Sequence, residues 1–479
     1  MRDLEISTER SAEAHVPDDL FAVPIRDKWL VYAPLRRGAA VVDAVTLTAF
    51  REGWPAAKTG PVADLVRLFS RPPVGIPRVN QGALRPSFLG IIPTRSCNLA
   101  CRYCAFGAAT ANERSMDTGL AVSLVDWMVA TAKADGQGEV EVHFFGGEPL
   151  IAPGLVAAVA DRVSARTAEA GIASRLHVAT NGYFSERVCR FVGEHFDVAV
   201  VSLDGCEAFQ NEYRPLRGGR PSFDVVARNV ASLARSRARL CLRTCVTAES
   251  VRSLVDTCDW LCHAFLPSSL TIEPVQETPE ARAAGIHAPD AREFARMAHR
   301  AIRASRSRGV SVVYAGARID TLQASFCPVG KDALIVGPDG RVDGCYLMES
   351  EWRASGLDMR IGSFEAGSMT LAPSAVERVR RAAAGRVECA RCFSRWHCAG
   401  GCHVRMQPSR PIEERRSFCL QSRALTACAL LDAIGRPDLA DDLLDDSEAL
   451  ERLAEERADH LEDWRGLWCA PAVSRPLET

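Results

Sequence analysis

The chain has 479 residues, of which 47% are hydrophobic and 25% are charged, with a formal net charge of −2 at pH 7. This length is too great for one ordinary core and predicts two or three domains. A nearly neutral chain gives no electrostatic reason to expect binding to nucleic acid or to a membrane surface, so neither is an expected partner. The charged first residues contain no apolar segment, and no apolar run of about 20 residues is available to span a bilayer, so the sequence predicts a cytoplasmic protein.

Residues 1–80 form the first predicted unit, a small N-terminal α+β domain. Short apolar runs separated by charged or Gly/Pro turns predict three strands, at 21–25, 29–32 and 39–42. A helical pattern starts at Thr46 and is interrupted near Pro55, and a second helix is predicted over 62–69. The Pro- and Gly-rich stretch from Arg71 to Pro86 then predicts a linker.

Residues 87–315 alternate between strand-like and helix-like patterns. Helical patterns cover 119–132, 155–170 and 294–305, and apolar strand-like runs lie at 88–92, 140–145, 176–179, 198–203, 240–246 and 270–272. Alternation of this kind predicts a parallel sheet or a βα barrel. Six strands favour a partial (β/α)6 barrel over a complete eight-stranded one, although the pattern also fits an open doubly wound sheet.

The remaining residues are predicted to form a cysteine-rich domain over 316–435 and an acidic helical tail over 436–479, most of it a solvated capping helix. The chain holds 18 cysteines. In a cytoplasmic protein many cysteines indicate metal or redox chemistry more often than disulfides. The alternative is that most are small buried hydrophobic residues. The spacing of the cysteines decides between these interpretations.

Three cysteines follow the first strand of the predicted barrel, and they are Cys97, Cys101 and Cys104. Cubane iron–sulfur clusters normally have four thiolate ligands, so three leave one iron with an open position. A ligand that carries both an amine and a carboxylate, such as the methionine end of S-adenosylmethionine, is able to chelate that iron. Half of a zinc site is the alternative, but a tetrahedral zinc site needs a fourth ligand nearby.

This motif resembles the CxxxCxxC signature of the radical S-adenosylmethionine superfamily, including the aromatic Tyr103 before the last cysteine. The resemblance implies a catalytic [4Fe–4S] cluster on the three cysteines. It also implies that an electron from the cluster cleaves S-adenosylmethionine and releases a 5′-deoxyadenosyl radical, which removes a hydrogen atom from the substrate. The protein would position the substrate and exclude water and oxygen, because the cofactor carries the radical chemistry.

The predicted cofactor pocket lies at the carboxyl ends of the strands, where barrel enzymes have their active sites. After the second strand, glycines allow close approach of the backbone to a ligand, and Glu148 or nearby carbonyls are able to accept from an ammonium group. By resemblance, this segment binds the amino group of S-adenosylmethionine, and residues after the third and fourth strands line the pocket. Arg214 is either a partner of the cofactor carboxylate or part of a structural ion pair. The pocket residues are Tyr103, Gly146, Gly147, Glu148, Pro149, Asn181, Ser202, Asp204 and Arg214.

The cysteine-rich region carries a second ordered series, in which the central four cysteines have the spacing C-x2-C-x5-C-x3-C. The full series is Cys327, Cys345, Cys389, Cys392, Cys398, Cys402 and Cys419, with Gly340 between the first two. It resembles the seven-cysteine SPASM domain, which follows the barrel in many peptide-modifying members of the superfamily. A zinc ribbon is the alternative that the C-x2-C pair alone would suit.

The SPASM resemblance implies two auxiliary iron–sulfur clusters. One would take Cys327, Cys345 and Cys402, and the other would take Cys389, Cys392, Cys398 and Cys419. The first set is one thiolate short, so we expect an open iron, with Asp332 or Cys428 as the alternative fourth ligand. His143 and His403 adjoin the motifs and are interpreted as ordinary satisfied polar residues. The other cysteines are predicted to be core residues, and they are Cys189, Cys206, Cys241, Cys245, Cys258, Cys262, Cys428 and Cys469.

The N-terminal unit resembles the small leader-peptide recognition domains of peptide maturases, which bind a peptide as an added strand at a sheet edge. The alternative is an accessory domain that covers the barrel mouth. The sequence therefore predicts a radical S-adenosylmethionine oxidoreductase that crosslinks or oxidises side chains of a ribosomally made precursor peptide. Its second expected partner is a reducing electron donor such as a flavodoxin or ferredoxin. The alternatives are an anaerobic sulfatase-maturing enzyme, which generates formylglycine, and a non-catalytic iron–sulfur scaffold or redox sensor.

Overall fold

A computed structural model of the protein describes residues 19–54, 56–107, 115–384, 386–390 and 392–455. The N-terminal unit is a three-stranded antiparallel sheet followed by two helices, as the sequence predicts. Its elements are β1 (Phe21–Ile25), β2 (Lys28–Ala33), β3 (Gly38–Asp43), α1 (Ala44–Gly53) and α2 (Gly60–Phe69). Asp43 begins the first helix, because its side chain accepts a hydrogen bond from the N–H of Thr46 at 2.7 Å.

Both faces of the N-terminal sheet are covered. Successive strand residues point to opposite faces. Val31 and Ala33 therefore pack on the helices of their own unit, around Phe50. Leu30 and Tyr32 belong to the large core that also contains the barrel residues. The unit is thus packed into the body of the protein and is not merely tethered to it.

The central sheet has eleven strands, and its order is β10-β9-β8-β7-β6-β5-β4-β11-β12-β13-β14. Strands β4 to β11 pair in parallel and the last three are antiparallel, which gives a partial barrel extended at one side. All six predicted strands are present, so the predicted fold class is confirmed. The strands are β4 (Phe88–Ile91), β5 (Glu139–Phe144), β6 (Ala173–Thr180), β7 (Val198–Ser202), β8 (Arg239–Val246), β9 (Ser269–Pro274), β10 (Ser311–Val313), β11 (Leu334–Val336), β12 (Arg341–Asp343), β13 (Arg360–Glu365) and β14 (Ser368–Leu371).

Helices cover the outer face of the barrel and build most of the remaining chain. Along β5, Val140, Val142 and Phe144 are buried against this helical layer, so the residues between them point into the barrel. In the described residues no helix is long and apolar enough to cross a membrane. The helices are α3 (Thr118–Ala134), α4 (Pro153–Ala170), α5 (Glu186–His195), α6 (Glu207–Tyr213), α7 (Phe223–Leu233), α8 (Leu254–Phe265), α9 (Pro279–Ala283), α10 (Ala291–Arg306), α11 (Glu349–Ala354), α12 (Pro373–Ala383), α13 (Arg395–Cys398), α14 (Ile412–Ala433), α15 (Pro437–Asp445) and α16 (Ser447–Glu455).

The acidic tail differs from its prediction. Instead of one solvated helix, the described part forms α15 and α16, whose leucines are buried in the main core beside α14. Leu439 and Leu443, four residues apart, lie on one face, and Leu450 continues the contact from α16. The prediction of a solvated helix was therefore wrong, because the acidic residues occupy only the outer face of an amphipathic pair.

Candidate active site and cluster-binding cysteines

The first cysteine loop follows β4 and is held in place by the segment after α6. Leu99 and Leu216 form an antiparallel bridge. The N–H of Ala100 donates to the carbonyl of Pro215 at 2.8 Å, in register with that bridge. The loop is thus fixed as a short added strand. It carries Cys97, Cys101 and Cys104.

The three thiols of this loop are free and pack together with Leu99 and Leu216. The N–H of Leu99 and the side-chain amide of Asn181 each point at the Cys97 sulfur, at 3.4 Å. Burial raises the pKa of Cys97 to about 11 and that of Cys101 to about 12. Without a cation these thiols therefore stay protonated near neutral pH, and bound iron would supply the positive charge that stabilises their thiolates. This donor set fits the predicted cluster.

Among the described residues, no three His, Cys, Asp or Glu side chains converge closely enough to hold one metal ion. A cubane binds each thiolate to a different iron, which keeps the sulfurs further apart than the ligands of one zinc ion. The choice between a cluster and a zinc ion stays a prediction.

The glycine segment after β5 packs directly against the chain that leads into the cysteine loop. Gly146 has a φ of 145°. A Cβ on Gly147 would lie 2.2 Å from the carbonyl oxygen of Ser96, so no larger residue fits there. The N–H of Gly147 donates to the carbonyl of Thr94 at 3.1 Å, and the N–H of Glu148 donates to that of Ser96 at 2.9 Å. The glycines are thus required to join the two loops.

The carboxylate of Glu148 is turned into the protein and is 1% exposed. It accepts hydrogen bonds from the N–H of Leu150 at 3.1 Å, the hydroxyl of Thr180 at 2.8 Å and the N–H of Asn181 at 2.7 Å. Burial raises the pKa of Glu148 to about 7, although these hydrogen bonds favour the ionised form. The carboxylate therefore joins the ends of β5 and β6.

Because this carboxylate is used internally, the main-chain carbonyls of 146–149 are the acceptors that we expect for the ammonium group of S-adenosylmethionine. This segment ends at Pro149.

Asn181 links the end of β6 to the cysteine loop. Its side-chain NH2 donates to the Cys97 sulfur at 3.4 Å and to the side-chain oxygen of Asn98 at 2.8 Å. Its side-chain oxygen accepts from the N–H of Tyr183 at 2.8 Å. Both ends of this amide are thus used in holding the loop. Ser202, at the end of β7, is half-buried, and its side chain makes no hydrogen bond in the described part of the chain.

Tyr103, Asp204 and Arg214 form a buried network beside the cysteine loop. The hydroxyl of Tyr103 donates to the Asp204 carboxylate and accepts from Arg214 at 3.0 Å. The N–H of Cys245 donates to the other Asp204 oxygen at 3.1 Å. Burial raises the pKa of Asp204, and the charge of Arg214 opposes that rise. Arg214 thus has an internal role, while its buried Nε has no hydrogen-bond partner among the described residues.

The structure gathers both sets of auxiliary cysteines. In the first set, the pKa of Cys345 is raised by burial and, further, by the neighbouring charges of Cys402 and Cys327. In the second set, burial raises the pKa of Cys398, and the neighbouring Cys392, Cys389 and Cys419 raise it further. The thiols of each predicted set are therefore near enough to influence one another electrostatically. Ligation of iron by them stays a prediction.

Both predicted alternatives for the fourth ligand of the first set are engaged elsewhere. The Asp332 carboxylate accepts from Arg380 at 2.8 and 2.7 Å and from the N–H of Arg85 at 3.1 Å. Cys428 is buried in α14 on the side of α15, with its sulfur 3.8 Å from the carbonyl oxygen of Ala440. Neither side chain points at the three-cysteine set, so neither alternative is supported.

The barrel lumen contains a chain of polar residues that sequence reasoning missed. The hydroxyl of Tyr346 lies 3.1 Å from Nδ1 of His143, and Nδ1 of His177 lies 3.1 Å from the Glu141 carboxylate. The two imidazole rings are 6.1 Å apart, and each Nε2 is buried without a partner among the described residues. Burial lowers the pKa of His143 to about 4. The alternation of Glu141 and His143 with buried valines on β5 was the available sequence signal.

A cavity of about 1160 Å³ lies between the barrel strands and the cysteine-rich region. Arg243 of β8 and Glu273 of β9 line it on the barrel side, and Cys402 lines it on the other. The Glu273 carboxylate accepts from the N–H of Ala315 at 3.1 Å, whereas the guanidinium of Arg243 is exposed to the cavity and makes no hydrogen bond with the described residues. The first cysteine loop does not line the cavity, which borders the first auxiliary set instead.

Part of the barrel is similar to a described family. Residues 91–261 match the Radical SAM superfamily. A serine-type anaerobic sulfatase-maturating enzyme from Klebsiella aerogenes is 26% identical over 318 residues, which cover 64% of this chain and 77% of the relative. A protein of the same description from Klebsiella pneumoniae is 31% identical over 136 residues, or 28% of this chain and 34% of the relative. The structure of native anSMEcpe with bound AdoMet and Kp18Cys peptide has a TM-score of 0.58 and 16% identity, covering 72% of this chain and 98% of that one, and supports the fold.

Proposed function

For this chain, which contains a radical SAM domain, we propose the activity of a peptide maturase that crosslinks or oxidises side chains of a ribosomally made precursor peptide. The observation that carries the proposal is the large cavity between the barrel and the cysteine-rich region. Pockets for small ligands have volumes of roughly 300–1,000 Å³, and this one is about 1160 Å³. A cavity of this size suits a segment of polypeptide better than a small metabolite.

The residues that would hold the radical-forming cofactors lie outside the lining of that cavity, on the loops at the ends of β4, β5 and β6. Cys97, Cys101 and Cys104 would hold a [4Fe–4S] cluster, which with S-adenosylmethionine supplies the hydrogen-abstracting radical. Asn181 and Glu148 fix the loops that would receive the cofactor. The buried surroundings exclude water from the reacting atoms, and the fixed loops hold them in one geometry.

The cavity wall offers charges of both signs to a peptide. The exposed guanidinium of Arg243 already lies near the Glu273 carboxylate, and it would add a pairing with a carboxylate or a peptide carbonyl of the substrate. Glu273 is buried beside it, and burial raises the pKa of its carboxyl. Two groups on neighbouring strands thus provide a donor and an acceptor for orienting a substrate side chain.

The N-terminal sheet supports capture of a peptide by strand addition. Its β1 side lies next to α15, where Arg26 of the turn after β1 pairs with Asp442 at 2.8 Å. Its other edge strand, β3, pairs only with β2 among the described residues. An edge strand with unpaired main-chain groups is a template for an added strand. We therefore assign leader-peptide binding to β3.

An anaerobic sulfatase-maturing activity is the second candidate, and the likeness to the enzyme from Klebsiella aerogenes favours it. That reaction would oxidise a serine or cysteine of a sulfatase to formylglycine. It also uses a peptide substrate, so the cavity alone does not separate the two candidates. The two candidates differ in the product formed on the peptide, and only the first requires β3 to bind a leader peptide.

The decisive experiment uses the full chain, reconstituted with iron and sulfide under anaerobic conditions, reduced, and supplied with S-adenosylmethionine. The first peptide to test is the product of any short reading frame beside the gene of the enzyme, and the matched control is a serine- or cysteine-containing sulfatase peptide. We expect a mass change in the first peptide only, and on its binding we expect slower amide exchange in β3 than in β1. An aldehyde in the sulfatase peptide would favour the second candidate, and a lack of 5′-deoxyadenosine would contradict both.

A further inference from the structure

We propose that the imidazole of His403 is the fourth protein ligand of the auxiliary cluster on Cys327, Cys345 and Cys402. This inference rests on the proposed function, because it requires that cluster. A fully ligated cubane takes four side chains, and the set supplies three thiolates. The structure supplies a fourth donor at the same place.

His403 lies beside the three-cysteine set because it is the next residue after one of the three cysteines. It directly follows Cys402, and its Nδ1 is 3.9 Å from the sulfur of Cys327. Gly400 and Gly401 both have positive φ, 78° and 75°, so the chain turns sharply just before this pair. A Cβ on Gly401 would come within 2.6 Å of the Phe418 ring. The turn therefore depends on glycine and delivers a thiol and an imidazole together.

The imidazole is buried and incompletely partnered. His403 is 8% exposed, and its Nε2 has no hydrogen-bond partner in the part of the chain that the structure describes. A buried polar group without a partner costs about 1–3 kcal/mol, so such groups are rare in folded proteins. A neutral imidazole nitrogen is also a common metal ligand. The nitrogen that faces the set is Nδ1, beside the Cys327 sulfur, and iron would bind there.

The competing donors near the set are already used. The Asp332 carboxylate is bound by Arg380 and by the N–H of Arg85. Cys428 points toward α15. His397, the nearby histidine of α13, has both ring nitrogens engaged, by Tyr32 and by the carbonyl of Arg318. His403 is the donor that remains among these.

Histidine ligation would give this cluster a distinct electronic character. An imidazole is neutral whereas a thiolate is anionic, so the cluster carries one negative charge less than an all-cysteine cubane. Replacement of thiolates by histidines raises the potential of iron–sulfur centres. The cluster beside the cavity would therefore accept an electron more readily than the four-cysteine cluster.

The test uses the full chain with Cys97, Cys101 and Cys104 changed to alanine, so that only auxiliary clusters contribute, and with its histidines labelled with 15N. After reduction, pulsed electron paramagnetic resonance should detect a strongly coupled, directly bound nitrogen. The coupling should vanish in His403→Ala and persist in the matched control His143→Gln, which also removes a buried imidazole. His403→Cys should retain the cluster, lose the nitrogen coupling and lower the midpoint potential.

Two outcomes would overturn the inference. In the first, the cluster disappears in Cys327→Ala, yet the cluster of the parent protein shows no bound nitrogen. In the second, the midpoint potential of the cluster is the same in His403→Cys as in the parent. Iron content separates this failure from failure of the proposed function. If the triple variant Cys327→Ala/Cys345→Ala/Cys402→Ala contains as much iron as its parent, the auxiliary cluster itself is absent and the ligand assignment is wrong, whereas the peptide products test the proposed function separately.

Discussion

The hydroxyl of Tyr32 lies 2.5 Å from Nε2 of His397 inside the protein, and the two rings stack with centroids 5.9 Å apart. Nδ1 of His397 is 2.9 Å from the carbonyl oxygen of Arg318, so Nδ1 carries the proton and Nε2 accepts from the tyrosine. Because His397 directly precedes Cys398, this contact joins β2 of the N-terminal sheet to the four-cysteine set.

Tyr32→Phe should therefore destabilise the protein. The variant keeps the stacked ring but leaves a buried acceptor on His397 unpaired, which costs about 1–3 kcal/mol. Urea denaturation of the two proteins measures the difference. Tyr183→Phe is the control, because that hydroxyl has no hydrogen-bond partner among the described residues, and an equal effect in both variants would contradict the role of the contact.

Changing Cys97, Cys101 and Cys104 together to alanine should abolish formation of 5′-deoxyadenosine. The auxiliary cysteines lie on other segments, so iron should fall by about one cubane and no further. Chromatographic assay of 5′-deoxyadenosine and iron analysis check these two outcomes. Continued production of 5′-deoxyadenosine would refute the assignment of the catalytic cluster, and loss of all iron would refute the independence of the sites.

Glu148→Gln should weaken binding of S-adenosylmethionine. Glu148 is buried, so this substitution leaves the charge of the protein surface unchanged. The amide matches the carboxylate in shape, but its NH2 end meets a hydroxyl or N–H donor at Thr180 or Asn181. A loss of about 1–3 kcal/mol corresponds to roughly 5- to 150-fold in the dissociation constant. Calorimetric titration measures it, with Glu139→Gln, on the exposed start of β5, as the control. Equal affinities for the native and Glu148 proteins would argue against a positioning role.

Acidification should destabilise the cluster-free protein partly through His143. Burial lowers its pKa from the ordinary 6.5 to about 4, so the folded state prefers the neutral ring. As the pH falls from 6.5 toward 4, protons bind the unfolded chain first, and at most about 3 kcal/mol of stability is lost. His143→Gln should flatten this part of the dependence, whereas His263→Gln, at an exposed position, should not. Unfolding free energies measured across this pH range test the difference, and parallel curves would exclude the effect.

The sequence was sufficient for the parts of the fold that repeat a long pattern. The six predicted strands correspond to β4 to β9, which have four to eight residues each, whereas β10 has only three, too few to show alternation. The tail was misread because its many acidic residues mask the leucines that face α14. An amphipathic face is visible in a sequence, but the surface that covers it is not.

The candidate site was predictable where spacing along the chain sets the chemistry. Three cysteines within eight residues necessarily share a loop, and the seven later cysteines resembled a known arrangement. The inward direction of Glu148 and the Tyr346–His143 contact depend on segments far apart in sequence. Such contacts have no local signal, because the tertiary fold alone determines which side chains meet.

During translation the first cysteine loop is synthesised well before the segment after α6, which pairs with it in the folded protein. Arg214 lies 111 positions after Tyr103. At about 5–20 residues per second, the three thiols spend roughly 5–20 s on the nascent chain before their cover exists. Insertion of iron into the native loop therefore follows synthesis of β7 and α6, and oxygen present during translation meets these cysteines in their least protected state.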